Sequence, residues 1–128
     1  MNVTVPTVHP KLWGTEREIV TTDQYTGKIL DLNPGHVSSI HRHRIKEETF
    51  YIDSGVVLLE FYDENGRYRT DVAVLSTGQA VTISPGTYHA FRGLSTARIL
   101  EFSTSHHDSD VERAEPSRPL RPDERGAV

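Results

Sequence analysis

Two histidines separated by one residue, His41 and His43, are the side chains in this sequence best suited to hold a metal ion. On an extended strand, residues i and i+2 project from the same face, so both imidazoles can reach one ion while Arg42 faces away. His89 follows a Ser-Pro-Gly-Thr turn and is the natural candidate for a further ligand, delivered at the start of another strand. The sequence therefore predicts a metal site assembled from distant parts of the chain.

The carboxylate ligand is one of two neighbouring glutamates. On an unbroken strand Glu47 shares the parity of His43, whereas Glu48 reaches the same face only if residues 44–46 form a turn. Glu48 is favoured because it begins a run whose apolar alternate positions lie on its own side and could line a barrel interior. Glu47 is then expected to face outward beside Lys46.

Three neutral imidazoles and one carboxylate form a ligand set that suits Zn, Fe(II), Mn, Co or Ni. Such a set leaves coordination positions open for water or a substrate. Because the chain contains no cysteine, any bound ion must be held by nitrogen and oxygen atoms. The residues alone leave the identity of the ion open.

The elements that must position these ligands are predicted to be strands. Short runs rich in β-branched and aromatic residues alternate with turn signals such as Asn33-Pro34-Gly35 and Asp53-Ser54-Gly55, and no interval shows a helical apolar repeat. This pattern is typical of an all-β antiparallel barrel or sandwich. The predicted strands are residues 16–21, 25–32, 37–43, 48–52, 56–62, 67–75, 79–83, 89–92 and 97–103.

The composition is that of an ordinary soluble globular protein. The chain has 128 residues, of which 35% are hydrophobic and 25% charged, and no apolar run approaches the roughly 20 residues of a membrane span. The formal net charge of −4 argues against binding to a phosphate backbone, so neither nucleic acid nor membrane is an expected partner. The N-terminus does not resemble a secretory signal, and we expect a cytoplasmic protein.

The domain organisation is predicted to be a single domain over residues 1–105, followed by a charged, proline-containing tail over residues 106–128. The tail contains three prolines and alternating charges but few residues able to fill a core. It is expected to be mobile or to lie over a neighbouring subunit. His106 and His107, with Asp108 and Asp110 after them, are expected to be solvated rather than to cap the pocket or bind metal.

The spacing of these residues resembles that of the cupins. Their first motif is matched by Gly35, His41, His43, Glu48 and Gly55, and their second by Gly78, Gly86 and His89, with departures only at Ser84 and Gly93. The resemblance implies a double-stranded β-helix, a small antiparallel jelly-roll barrel that is often dimeric. It also implies that His41, His43, Glu48 and His89 bind the metal.

A narrower resemblance concerns the strings SSIHRHRIKEETFYIDSG and ILEFSTSHHDSD. They are similar to the sugar-isomerase branch of the cupins typified by D-lyxose ketol-isomerase. That branch uses a divalent metal, commonly manganese, to interconvert D-lyxose with D-xylulose and D-mannose with D-fructose through an enediol. The resemblance implies a small sugar or sugar phosphate as substrate, a homodimer, and acid-base or polar roles in the pocket for Glu101 and Lys28.

Two other functions remain open. An Fe(II)-dependent cupin dioxygenase needs only the same four ligands, and in that case Glu101 and Lys28 would be incidental. A non-catalytic sugar-binding cupin would agree with the small size of the chain. Oxygen uptake would distinguish the first alternative, and binding without turnover would distinguish the second.

Overall fold

The computed structural model describes residues 1–105 and 108–125, and for Asp108 only the backbone. In these parts the chain forms strands and two short 3₁₀ turns. The strands are β1 (Thr7–Lys11), β2 (Gly14–Thr21), β3 (Tyr25–Leu32), β4 (His36–Val37), β5 (Ile40–His43), β6 (Glu48–Ser54), β7 (Val56–Tyr62), β8 (Arg69–Ser76), β9 (Ala80–Ile83), β10 (His89–Gly93), β11 (Ala97–Thr104), β12 (Val111–Glu115) and β13 (Arg118–Pro119).

The strands form two antiparallel sheets that pack face to face as a small barrel. One sheet has the order β1-β2-β3-β11-β6-β9, the other has the order β12-β5-β10-β7-β8, and β13 pairs with β4 beside them. The predicted all-β class and antiparallel barrel are therefore confirmed. No helix among the described residues has the length and apolar character needed to cross a membrane.

The hydrophobic core follows the two-residue period of the strands. In β3, every second residue from Thr26 to Leu32 is buried while the residues between them are partly exposed. The inward residues of both sheets meet in one apolar cluster, in which Ile52, Leu59 and Ile99 have no exposed surface. This cluster fills one end of the barrel and holds the strands that carry the site.

The C-terminal segment packs on the barrel instead of extending from it. β12 pairs with β5, and β13 pairs with β4. Leu120 also packs against a second apolar cluster that contains Val37 and Tyr88. The prediction of a mobile tail is therefore wrong for residues 111–119, because strand pairing and this apolar contact attach them to the domain. His106 and His107 lie outside the described residues.

Candidate metal centre

The candidate ligands come from neighbouring ends of strands in both sheets. β5 carries His41 and His43, and the first residue of β6 is Glu48. One possible ligand atom from each of these three residues lies within 4.8 Å of the other two. The Nε2 atom of His43 is 3.2 Å from Oε1 of Glu48. These three side chains form a compact group that could hold a metal ion.

His89 joins this group from the first position of β10. It lies directly opposite His41 across the β5–β10 pair, and the two rings have centroids 4.5 Å apart. Its Nε2 atom is 3.4 Å from Oε1 of Glu48, whereas its ring centroid is 6.5 Å from that of His43. The structure thus brings all four predicted ligands together, with His89 contacting the group through Glu48 and His41.

The hydrogen bonds of two of the rings leave Nε2 available to a ligand. Nδ1 of His41 lies 2.9 Å from the carbonyl oxygen of Ser39, and Nδ1 of His89 lies 2.9 Å from that of Thr87. Since a carbonyl only accepts, Nδ1 carries the proton of each neutral ring and donates it. A second partner that fixes the tautomer in this way is typical of metal-binding histidines.

Two buried atoms in the group support the metal assignment. Oε1 of Glu48 and Nε2 of His89 are buried, yet within the described parts of the chain neither has a partner in hydrogen-bonding geometry. An unsatisfied buried polar atom costs about 1–3 kcal/mol, so such atoms call for an explanation. A cation that accepts both lone pairs would supply one, and the nitrogen and oxygen donors fit a divalent ion.

The electrostatics favour the protonation states that bind metal. Burial, together with the nearby ring of His89, lowers the pKa of His41 to about 3, so this imidazole is neutral at physiological pH. Burial alone would raise the pKa of Glu48, but its contacts with His43 and His89 outweigh this effect and hold the pKa well below the usual value. A neutral imidazole and an ionised carboxylate are the forms that metal binding requires.

Asp110, from the C-terminal segment, supports the centre from outside. Its carboxylate accepts hydrogen bonds from the backbone N–H groups of Arg44, Ile45 and Lys46 at 2.9, 2.9 and 3.1 Å. Oδ2 also lies 3.9 Å from Nδ1 of His43. The turn that shifts the strand parity between His43 and β6 is therefore held by a residue more than 60 positions away. The expectation that Asp110 lies in a solvated tail is wrong, because its side chain is buried against this turn.

A cavity of about 390 Å³ opens beside the candidate ligands. Trp13, Phe50 and Phe91 line its apolar side, and the Trp13 and Phe91 rings meet edge to face with centroids 5.1 Å apart. A cavity of this size, with an apolar side and several charged groups, suits a small organic ligand.

Glu101 faces this cavity and forms an ion pair that sequence reasoning missed. Its Oε2 atom is 3.0 Å from Nζ of Lys46, and both side chains are almost fully buried. Burial and the charge of Glu48 raise the pKa of Glu101, although Lys46 and Lys28 oppose this. Glu47 is exposed, as expected, whereas its neighbour Lys46 is buried. The turn held by Asp110 directs the Lys46 side chain inward.

Lys28 also lines the cavity, and it lies directly opposite Glu101 in the β3–β11 pair. Nζ of Lys28 is 3.4 Å from Oε1 of Glu16. Burial would lower the pKa of Lys28, but the carboxylates of Glu101 and Glu16 outweigh it, and the net pKa is raised. Lys28 is therefore a buried cation at neutral pH.

Comparison with known families matches residues 28–103 of this chain to the cupin domain. Since this range is more than half of the sequence and contains all four candidate ligands, the chain belongs to the cupin family. The cupin resemblance seen in the sequence is thereby confirmed. No curated protein sequence matches the chain.

Solved structures of similar fold come from several proteins. CapF with the inhibitor 3-isopropenyl-tropolone has a TM-score of 0.72 and 20% identity over 88% of this chain and 35% of its own. A structure of CapF from Staphylococcus aureus describes it as a capsular polysaccharide assembling protein. Oxalate decarboxylase from Bacillus subtilis has a TM-score of 0.71 and 18% identity over 84% of this chain and 30% of its own.

KdgF from Halomonas sp. is similar to this chain over nearly its full length. It has a TM-score of 0.67 and 15% identity, over 80% of this chain and 91% of its own. By contrast, this chain spans about a third of CapF and of oxalate decarboxylase. At these identities the likeness shows the shared fold and nothing more specific.

Proposed function

We propose that this cupin is a metal-dependent sugar isomerase that interconverts an aldose and a ketose of the D-lyxose or D-mannose type. The observation that carries the proposal is the buried Glu101–Lys46 pair in the same cavity as the His41, His43 and Glu48 group. A metal site alone serves many cupin reactions. A buried carboxylate of raised pKa beside it is the additional group that moving a carbon-bound proton requires.

The metal would be held by His41, His43, Glu48 and His89, and the family resemblance favours manganese among the divalent ions. When bound, a divalent ion would supply positive charge that stabilises the negative charge developing on the substrate oxygens. The protein contributes three neutral rings and one ionised carboxylate, so the bound centre keeps a net positive charge.

Glu101 is the proposed base and acid. Its ionised carboxylate accepts the proton from the carbon beside the carbonyl and returns it to the former carbonyl carbon, through an enediol. The hydroxyl proton on the adjacent oxygen passes to the former carbonyl oxygen, so the aldose and the ketose carry the same number of protons. Nζ of Lys46 lies 3.0 Å from Oε2, and the hydroxyl of Ser103 donates to the same oxygen at 3.4 Å. We assign the proton transfer to Oε1. Because the pKa of this carboxyl is raised, it lies closer to neutral pH, and a general base works best when its pKa is near the working pH.

Lys28 is proposed to donate a hydrogen bond to a substrate oxygen. Its raised pKa keeps it protonated, and it reaches the cavity from the strand next to that of Glu101. A fixed cation beside a developing oxyanion lowers the energy of the transition state. The hydroxyl-rich substrate would lie between this lysine and the aromatic side of the cavity.

The test is exchange of substrate protons with solvent. Manganese-loaded protein in D₂O is expected to introduce deuterium into D-lyxose or D-mannose and to produce the ketose, both observable by NMR. Glu101→Gln should keep its metal and lose about 10²–10⁴-fold in rate, since it removes the proton carrier and leaves the centre intact. The exposed Glu47→Gln is the matched control and should retain activity.

Two outcomes would contradict the proposal. The isomerase function would be rejected if fully metal-loaded protein left both free and phosphorylated sugars unchanged. Loss of metal from Glu101→Gln would show that this residue supports the centre instead of carrying a proton. Substrate-dependent oxygen uptake would favour the Fe(II) dioxygenase, and carbohydrate binding without turnover would favour the sugar-binding cupin. The homodimer and the cytoplasmic location remain predictions.

A further inference from the structure

Arg113 occupies an unusual position on the C-terminal strand. In the β12–β5 pair it lies directly opposite His41. Side chains directly opposite each other on antiparallel strands share a face and have Cβ atoms about 4.5–5.5 Å apart. Arg113 accordingly lines the cavity, together with Val111, Pro116 and Ser117 of the same segment. The C-terminal segment thus forms one side of the pocket beside the candidate metal centre.

The charges around the cavity are only partly compensated. Four cationic side chains line it, and two of them have carboxylate partners: Lys28 pairs with Glu16, and Lys46 pairs with Glu101. The other two are Arg113 and Lys11. Neither forms an ion pair or a side-chain hydrogen bond with any described residue. A bound divalent ion would increase the positive excess of the pocket.

Arginines that face the other way show what these residues do when their role is structural. Arg42 and Arg44 lie on and next to β5, and both bind the carboxylate of Glu112, Arg42 at 3.0 Å. Glu112 and Arg113 are adjacent on β12, so their side chains leave opposite faces of the strand. On the outward face the charges are paired within the protein. On the pocket face the exposed guanidinium of Arg113 has no carboxylate partner among the described residues.

We propose that Arg113 binds an anionic group of the substrate, so that the pocket selects a sugar carrying a carboxylate or a phosphate. The proposal deepens the isomerase function and rests on it for the sugar. The planar guanidinium can donate two parallel hydrogen bonds to either group, which a neutral hydroxyl cannot match. Lys11 would add a second, less directional positive charge. Arg113 lies outside residues 28–103, so the cupin match does not imply this role.

The test measures binding, so it does not depend on turnover. Titration calorimetry with manganese-loaded protein would compare D-mannose with D-mannose 6-phosphate and D-mannuronate. The wild type is expected to bind at least one of the two anions more tightly than D-mannose. Arg113→Gln should weaken anion binding by about 10- to 100-fold and affect D-mannose much less, because a charged hydrogen bond is lost. Arg113→Lys should recover part of the lost affinity, since lysine keeps the positive charge but cannot donate two parallel hydrogen bonds.

Arg67→Gln provides the matched control, because it removes the same charge from an exposed residue outside the cavity. The two anionic ligands show whether the group is a phosphate or a carboxylate. Failure of both anions to bind more tightly than D-mannose would overturn the proposal. An equal loss for all three ligands in Arg113→Gln would overturn it as well. Anion selectivity without proton exchange would instead keep Arg113 as an anion site and reject the isomerase.

Discussion

The two ends of the barrel interior are built by the same strands, yet their chemistry is opposite. Along β11, Ile99 belongs to the apolar core, and the next inward residue, Glu101, faces the cavity. Along β6, Glu48 lies in the candidate metal centre, and Ile52 lies in the core. One alternation rule therefore orients both regions, and only the residue types differ.

The comparison separates what stabilises this molecule from what it does. Burying the apolar end is favourable by about 25 cal/mol per Å². Burying charged groups such as Lys46 and Glu101 costs free energy unless each is paired, and the pair seldom adds stability. The polar end is therefore retained at some cost to stability, which is expected of a functional site. Changes at the two ends should have different consequences.

The largest expected effect at the polar end is the loss of bound metal from His43→Ala. Removing one ligand from the central group should reduce metal content from about one ion per chain to near zero, while circular dichroism still shows a folded barrel. Elemental analysis after dialysis measures this directly. The exposed His9→Ala should keep its metal. An unfolded His43→Ala protein would mean that this histidine holds the barrel together, contrary to the separation of the two ends.

The matching change at the apolar end is Ile99→Ala. Ile99 has no exposed surface, and truncating such a side chain typically costs about 2–5 kcal/mol. We expect that loss in the free energy of unfolding, measured by urea denaturation, with metal affinity of the folded protein unchanged. Ile19→Ala, on a side chain that is 42% exposed, should cost much less. A large fall in metal affinity in Ile99→Ala would show that the ends are coupled.

A smaller effect is expected from Asp110→Asn. The carboxylate positions the turn before β6 and approaches His43, and loss of such an outer partner typically lowers metal affinity by about 10- to 100-fold. Competition with a chelating dye would measure the affinity. The exposed Asp123→Asn, also in the C-terminal segment, should have no effect. Unchanged affinity in Asp110→Asn would limit this residue to backbone capping.

The smallest expected effect is a pH dependence of stability in the metal-free protein. The folded His41 ring stays neutral down to about pH 3, whereas in the unfolded chain it takes up a proton below about pH 6.5. Its contribution to stability is therefore lost as the pH falls from about 6.5 towards 3, on the order of 1–2 kcal/mol by pH 5. Urea denaturation at pH 7 and pH 5 should show that the free energy of unfolding falls less in His41→Gln than in the wild type. Equal losses would show that His41 titrates normally in the folded state.

The sequence predicts the barrel strands well because their alternation is strong. The predicted strands at 25–32 and 56–62 coincide with β3 and β7, and most others differ by a few residues at their ends. The strand predicted at 37–43 is instead divided into β4 and β5 by Ser38 and Ser39. β1, β12 and β13 were not predicted. In β12 the sequence VERAE is too polar to indicate a strand, and its partner β5 lies about 70 residues earlier, so only the folded structure shows the pairing.

Strand alternation also allows the candidate ligands to be predicted from the sequence. It does not predict the residues that support them. The two-residue spacing of His41 and His43 on one strand predicts that both imidazoles share a face. The inward direction of the Lys46 side chain depends on a turn whose backbone amides donate hydrogen bonds to Asp110. Because Asp110 is distant in sequence, no pattern in the residues around Lys46 predicts that direction. Arg113 is one of several charged residues in its segment, and the sequence does not distinguish it from them. Its position beside the candidate metal centre follows only from the strand pairing that places it opposite His41.

The most direct test of the central claim, that the polar end holds a divalent ion, is anomalous scattering from a crystal of metal-loaded protein. We predict one strong peak about 2.0–2.3 Å from Nε2 of His41, His43 and His89 and from a carboxylate oxygen of Glu48. The absorption edge would identify the ion. A peak elsewhere, or fully loaded protein without a peak among these four side chains, would contradict the account.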